Sequence, residues 1–306
     1  MKKIIEAIEE RHKDLPSLLS VLNKLSRTEF NSVLLELFKN HSNKTIPADL
    51  VKQYVQNRFV IPASVNVLAY KALELEWLQQ ADNQGFNPII LSPITPIGTS
   101  SSIGEVNQNN IISALRGTEV VSDATNVLAI KIAADLKNGQ PHGVVKYATT
   151  HRHVRGQSFT NPTFTAHFGA FCLVSGGMDT GSYQFEIEQL FAHIELHSRL
   201  LSEKFGAENL FIKFYIRQEN APFLQRLQSK LHELSSPFEV IEAYQKGDYY
   251  KTVQFQIDLI YKKTNFNLVD GGLVDWTQKM IPNKKHRLFI SGCGIEIVHK
   301  ILENQV

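Results

Sequence analysis

Cysteine is scarce in this chain of 306 residues: Cys172 and Cys293 stand far apart, each in apolar surroundings. That spacing excludes a disulfide framework and makes a reducing compartment the expected setting. Long apolar runs are missing too. No window approaches the roughly 18 uncharged apolar residues a membrane span requires. The start, Met1-Lys2-Lys3-Ile4-Ile5-Glu6, turns charged before any signal-peptide core can form. A membrane partner is therefore not expected, and the expected location is the cytoplasm. An excess of one charge is absent as well: 32 basic residues face 30 acidic ones, for a formal net charge of +2. This near balance argues against a uniformly basic nucleic-acid binder, although it leaves local patches open. The segment Gly98 to Gly104 lacks the lysine of a phosphate-binding loop. No Gly-x-Ser-x-Gly elbow occurs.

What is present is ordinary globular material, 43% hydrophobic and 20% charged. Residues 1–62 read as a helical N-terminal extension. Leu15, Leu18, Leu19, Leu22 and Leu25 recur at helical spacing, as do Val33, Leu34, Leu37 and Phe38. Pro47 suits the first turn of a further helix. Short helices around tight turns allow either a helix-turn-helix or a cap on the main domain. A helix is expected over 64–83, with Val67, Leu68, Tyr70, Leu73, Leu75 and Leu78 as its apolar stripe. A proline-broken extended segment to residue 97 and a polar loop over 98–110 follow. Strand-type runs lie at 143–148, 170–174, 210–216, 238–241, 253–260 and 287–291, with helices near 185–205 and 221–234. The helix near 185–205, with Glu186, Glu188, His193 and Glu195, reads as an ordinary amphipathic face. The order predicts an α+β fold over 63–306, an antiparallel sheet flanked by helices.

Several segments carry a more specific pattern. Residues 64–97 form a long helix, then a strand ending at Pro93 or Pro96. Arg155-Gly156-Gln157 precedes a loop from Ser158 to Ala166, then His167 and Phe171. Asp248-Tyr249-Tyr250 leads into a strand, Asp270-Gly271-Gly272 follows, and Gly292-Cys293-Gly294-Ile295-Glu296-Ile297 comes last. In this order and spacing they resemble the catalytic core of a class II aminoacyl-tRNA synthetase of the histidyl type, and they are similar also to the regulatory subunit of ATP phosphoribosyltransferase. No counterpart of the C-terminal anticodon-binding domain is expected. The resemblance implies a homodimer formed through residues 64–97. It implies an amino-acid pocket in which Asp123 and Thr125 meet the ammonium. Asp123 equally suits the N-cap of a helix. Arg155 would hold the α-phosphate of ATP and the substrate carboxylate, as its planar fork suits oxyanions. Gln157 would hydrogen-bond an amine, His167 fills the motif's Arg-or-His position at the site, and Phe171 would stack on adenine or belong to the core. Tyr249 and Tyr250 would close the pocket or pack as strand aromatics. Gly271 and Gly272 would let substrate approach, or form a hairpin turn. Gly294 and Glu296 match the last motif, where Glu296 also suits a helix N-terminus.

The resemblance implies that the departures from the pattern lie around one pocket. Ile297 stands where the family has an arginine that grips ATP. A lost phosphate contact of that kind costs on the order of 2–5 kcal/mol in a desolvated site. Leu273 replaces another arginine, Gln157 replaces a glutamate, and Gln245 and Lys246 stand where a further arginine is expected. Arg287, His299 or Lys300 are candidates to compensate. His151-Arg152-His153 places two histidines on one strand face. With no acidic or cysteine partner nearby in sequence, a solvated face is expected there and no metal. Three functions follow as expectations. The first is a paralogue that no longer charges tRNA and binds an amino acid or small carboxylate in a regulatory role. The second is an adenylate-forming ligase using ATP and Mg²⁺ with a non-standard acceptor. The third is a nucleic-acid- or protein-binding module built on residues 1–62.

Overall fold

The computed structural model describes residues 2–13, 17–139, 143–157, 165–244 and 249–305. Helices α1 (Lys2–Arg11), α2 (Leu18–Leu22), α3 (Arg27–Ser42) and α4 (Pro47–Gln56) open the chain. Ser26 and Glu29 form a reciprocal capping box that starts α3, and Pro47 occupies the first turn of α4. None of the described residues over 3–13 and 17–62 is buried. The extension is tied down through polar contacts: Arg58 Nη2 donates to the carbonyls of Gly156 (2.6 Å) and Gln157 (3.0 Å).

Asn66 caps α5 (Val67–Asn83). The buried stripe of α5 is Tyr70, Leu73, Trp77 and Ala81. Val67, Leu68 and Leu75, expected on that stripe, face outward, Leu68 at 84% exposure. The 3.6-residue period admits two neighbouring faces, and the bulkier aromatic face is the one buried. Next come β1 (Asn87–Pro88), β2 (Ile94–Pro96), α6 (Thr99–Ser102), β3 (Ser113–Ala114) and β4 (Thr118–Val120). The short α6 stands where an unbroken loop was expected. Its first turn is held by Glu119, which accepts from the backbone N–H groups of Gly98 and Ser100, both at 2.8 Å.

The main sheet has eight strands in the order β1-β5-β6-β11-β10-β9-β7-β8. Its members beyond β1 are β5 (Val145–Val154), β6 (His167–Met178), β7 (Leu210–Ile216), β8 (Phe238–Glu242), β9 (Val253–Tyr261), β10 (Thr264–Val274) and β11 (His286–Cys293). Pairing is antiparallel except for β1 with β5 and β7 with β8. Strand β10 was not foreseen. Asp270-Gly271-Gly272 lies inside it, not in a turn. A Cβ on Gly271 would stand 2.6 Å from both Ser291 Cβ and Phe255 Cε1, so the glycine is there for close strand packing.

Helices α8 (Gln184–Phe205), α9 (Ala221–Lys230), α11 (Ile295–Leu302) and α5 cover one face, packing on Phe171, Leu173, Phe255 and Phe289. On the other face α7 (Ala124–Lys137) and α10 (Trp276–Met280) pack over Cys172, Val174, Leu288 and Ile290. Alternation along β6 sends Phe171 and Leu173 to the first core and Ala170, Cys172 and Val174 to the second. On α8, Glu186 and His193 are buried, not solvated as expected. His193 Nε2 meets Ser175 Oγ at 2.9 Å, and its Nδ1 meets Ser291 Oγ at 2.7 Å. No helix of the described residues is long and apolar enough to cross a membrane.

Candidate ligand pocket

A cavity of about 380 Å³ opens in the second face, between the start of α7, the end of β5, the tyrosine pair and the start of α11. Asp123 is the N-cap of α7: its Oδ1 accepts from the Thr125 backbone N–H (2.9 Å) and hydroxyl (2.8 Å). Cap and pocket wall are thus one residue, as the sequence allowed. Arg155, just past β5, donates through Nε to the Ser122 carbonyl at 3.3 Å. Its guanidinium lies 5.1 Å from the ring centre of Phe168, a stacking distance that positions the cation over the cavity.

Tyr249 and Tyr250 meet edge to face with ring centres 4.8 Å apart, and Tyr249 packs in the same manner on Trp276. Tyr250 Oη donates to Asp270 Oδ2 at 2.5 Å. Gln254 Nε2 (2.5 Å) and Gln256 Nε2 (3.3 Å) donate to its Oδ1. Burial pushes the Asp270 carboxyl up, while these hydrogen bonds pull it partly back. Gly272 leaves room for the tyrosine, since a Cβ there would stand 2.7 Å from Tyr250 Cδ1 and 2.5 Å from the Val253 carbonyl. Gly294, the N-cap residue of α11, contributes to the rim.

Asp123, Thr125, Arg155, Tyr249, Tyr250 and Gly294 therefore come together as expected. Further lining residues escaped the sequence reading as ligand contacts, among them Asp270, Phe168, His153 and Cys172. Period-two parity could have found three of them, since His153 shares a face with Arg155, and Phe168 is opposite His153 in the β5–β6 ladder with Cys172 on the same side. The expected solvated face at His153 is instead 3% exposed, with Nε2 accepting the Ala124 backbone N–H at 3.0 Å. Burial holds its imidazole down to about 4, so the ring is neutral at pH 7.

Other expected residues stand elsewhere. Phe171 is fully buried on the opposite face, edge-on to Trp77 and His197. It cannot stack on a ligand in this cavity, because adjacent strand residues alternate faces. His167 is engaged with Arg152 Nη1 (2.8 Å) and the Ile61 carbonyl (2.6 Å). Glu296 is buried in an ion pair with Arg152 (2.7 Å) and Lys300 (2.9 Å) and accepts the Gly169 N–H at 3.0 Å. Burial raises its carboxyl, but Lys300 and Arg152 outweigh that and hold it below the usual range. Gln157 offers its carbonyl to Arg58 and does not line the cavity. Gly271 and Gly272 act through packing. Gln245, Lys246, Asp248 and most of the 158–166 loop lie outside the described residues.

No protein-family model matches the chain, and no curated protein matches it. Solved structures do. An ATP phosphoribosyltransferase regulatory subunit/histidyl-tRNA synthetase from Bacillus halodurans superposes with a TM-score of 0.62 at 12% identity, covering 80% of this chain and 82% of that one. A histidine–tRNA ligase subunit from Alicyclobacillus acidocaldarius gives 0.61 at 12% identity, over 80% and 96% of the two chains. The apo histidyl-tRNA synthetase of S. aureus gives 0.59 at 12% identity, over 77% of this chain and 66% of that one. The fold is that of a histidyl-type class II synthetase.

On this synthetase-like frame, two positions where the family pattern has arginines are apolar and packed. Ile297 lies partly buried against the main core, and Leu273 is 6% exposed within it. Neither can present a charge to phosphate. The neighbouring cations named as substitutes are engaged: Arg287 with Asp179 (2.6 Å) and Glu186 (2.7 Å), and Lys300 with Glu296. His299 is buried edge-on to Tyr70.

Proposed function

We propose that the cavity binds a zwitterionic amino acid or a related small carboxylate, and that the protein neither adenylates it nor charges tRNA. The carrying observation is the contrast within one site. Arg155 faces the cavity with carboxylates at Asp123 and Asp270 on other walls, a layout that suits opposite charges on one small molecule. Arg155 is kept, but the position that would reach the far end of ATP carries Ile297, packed against the apolar core, and Leu273 fills another arginine position within that core. A regulatory role, of the kind that the name of the Bacillus halodurans protein gives to that protein, fits binding without chemistry.

The same reading includes a homodimer through residues 64–97. Leu68, Leu75 and Ile90 expose apolar surface there, Ile90 fully, and such a stripe is stabilised by a partner copy.

ATP–pyrophosphate exchange with a panel of amino acids, run beside thermal-shift titrations, tests the proposal. The expected result is ligand-induced stabilisation that grows logarithmically with concentration, with no exchange above background. Exchange with any amino acid, dependent on ATP and Mg²⁺, overturns it in favour of an adenylate-forming ligase. Absence of stabilisation by every amino acid and small carboxylate overturns the binding itself.

A further inference from the structure

Asp123, His153 and Cys172 come from the N-cap of α7, from β5 and from β6, yet their ligating atoms all lie within 4.8 Å of one another. All three line the cavity. His153 and Cys172 are buried at 3% and 1% exposure, and Cys172 is a free thiol. A second observation concerns the ring itself. With His153 Nε2 accepting from Ala124, the neutral imidazole carries its proton on Nδ1, and that buried nitrogen has no partner. A buried donor without an acceptor is costly, and the ring that carries it belongs to a cluster with a carboxylate and a thiol.

We propose that Asp123, His153 and Cys172 form a zinc site with its fourth position open to the cavity. One carboxylate oxygen, one imidazole nitrogen and one thiolate are a donor set that zinc accepts, and three protein ligands with one open position are the arrangement of a zinc ion that meets a second molecule. Sulfur in the set disfavours magnesium, calcium and manganese. A tetrahedral ion with bonds of about 2.0–2.3 Å needs its donors roughly 3.5 Å apart, so atoms that now lie within 4.8 Å of one another have to close by at most about 1.3 Å. On binding, Cys172 releases its thiol proton to solvent. The Nδ1 proton of His153 moves to Nε2, freeing Nδ1 for the metal and breaking the bond from Ala124. Zinc with one carboxylate and one thiolate is then neutral, which suits a half-enclosed pocket. An amine or carboxylate of an organic ligand can complete the coordination, leaving Arg155 and Asp270 to hold the rest of it.

This inference does not depend on which organic molecule binds, so its test omits one. The full-length protein is purified, stripped with a chelator, and titrated with Zn²⁺ and with Co²⁺ while circular dichroism monitors folding. The expected result is one tightly held metal per chain, with visible bands of tetrahedral Co²⁺ and a near-ultraviolet cobalt–thiolate band. Cys172→Ser should lose the thiolate band. Cys293→Ser should keep it: Cys293 borders the same cavity, but it is not one of the three clustered ligands, and its side chain packs with the core on the opposite face. A folded wild-type protein that takes up less than a tenth of an equivalent of either metal overturns the site. So does a thiolate band that vanishes in Cys293→Ser, since it then arises from the wrong sulfur. Loss of folding in Cys172→Ser leaves the wild-type and Cys293→Ser spectra to decide.

Discussion

The two faces of the central sheet are built from the same strands but differ in nearly everything else. Toward α5 and α8 the strands present Phe171, Leu173, Phe255 and Phe289, sealed by helices. Toward α7 they present Phe168, Cys172 and the Asp270 network around an open cavity. One residue of parity separates a core side chain from a pocket side chain. Phe171 and Phe168 illustrate it: both are aromatic, both lie on β6, and only the second borders the cavity. What looks like a single motif in sequence is two interleaved sets, one filling the core and one lining the cavity.

Substitutions that strike one set should leave the other property intact. The largest effect is expected from Phe171→Ala, which empties a fully buried site among Trp77 and His197 and should cost about 3–5 kcal/mol in denaturant unfolding. Ligand affinity measured in the surviving folded fraction should not change. An affinity loss with normal stability would reverse the assignment of the two faces. Glu296→Ala removes the acceptor for Arg152, Lys300 and the Gly169 N–H. A loss of about 2–3 kcal/mol of stability is expected, short of the full cost of an orphaned buried charge because Arg152 reaches solvent.

Arg155→Ala acts on the pocket set. It should weaken binding of any stabilising carboxylate by about 2 kcal/mol or more, near thirtyfold, while shifting the unliganded melting temperature little. Ligand-induced stabilisation equal to wild type would remove Arg155 from the site. A graded effect concerns pH, near zero at pH 7 and growing as the pH falls. His197 is held by burial at about 3, against 6.5 unfolded. Its neutral form is favoured in the folded protein, so its contribution is fully present above pH 6.5 and is lost as pH falls toward 3. Each such histidine adds a slope of about 1.4 kcal/mol per pH unit in that window. His193, also held well below its usual value by burial, acts in the same direction. Unfolding free energies from pH 7 to 4 should show this, and His197→Phe should flatten the slope. An unchanged slope in that variant would show that other groups set the acid limit.

Much of the architecture was legible from the chain. Helical spacing located α3, α5, α8 and α9, and alternating apolar runs located β5 through β9 and β11, because burial imposes those periods directly. β10 was not legible, since Asp270-Gly271-Gly272 reads locally as a turn. Only the proximity of Ser291, Phe255 and Tyr250 explains glycines in mid-strand. In the pocket, Asp123, Arg155 and the tyrosines were legible because their chemistry is specific to their motifs. Phe171, His167 and Glu296 were misplaced for a common reason: motif spacing does not state which side of a strand or helix start a side chain leaves from. The triad of Asp123, His153 and Cys172 was invisible because its members are far apart in the chain, and only tertiary packing makes them neighbours.

Arg58 holds the carbonyls of Gly156 and Gln157, the two residues that follow Arg155. The extension that carries Arg58 has no buried anchor of its own over its described residues, so these few polar contacts, with that of Ile61 to His167, are its mooring to the pocket strands. A mooring transmits force both ways. A ligand that fixed Arg155 would also fix the strand end that Arg58 grips, and thermodynamic reciprocity would then make a seated extension favour the ligand by the same factor. The occupancy of the pocket would in that way be displayed on the surface of four exposed helices.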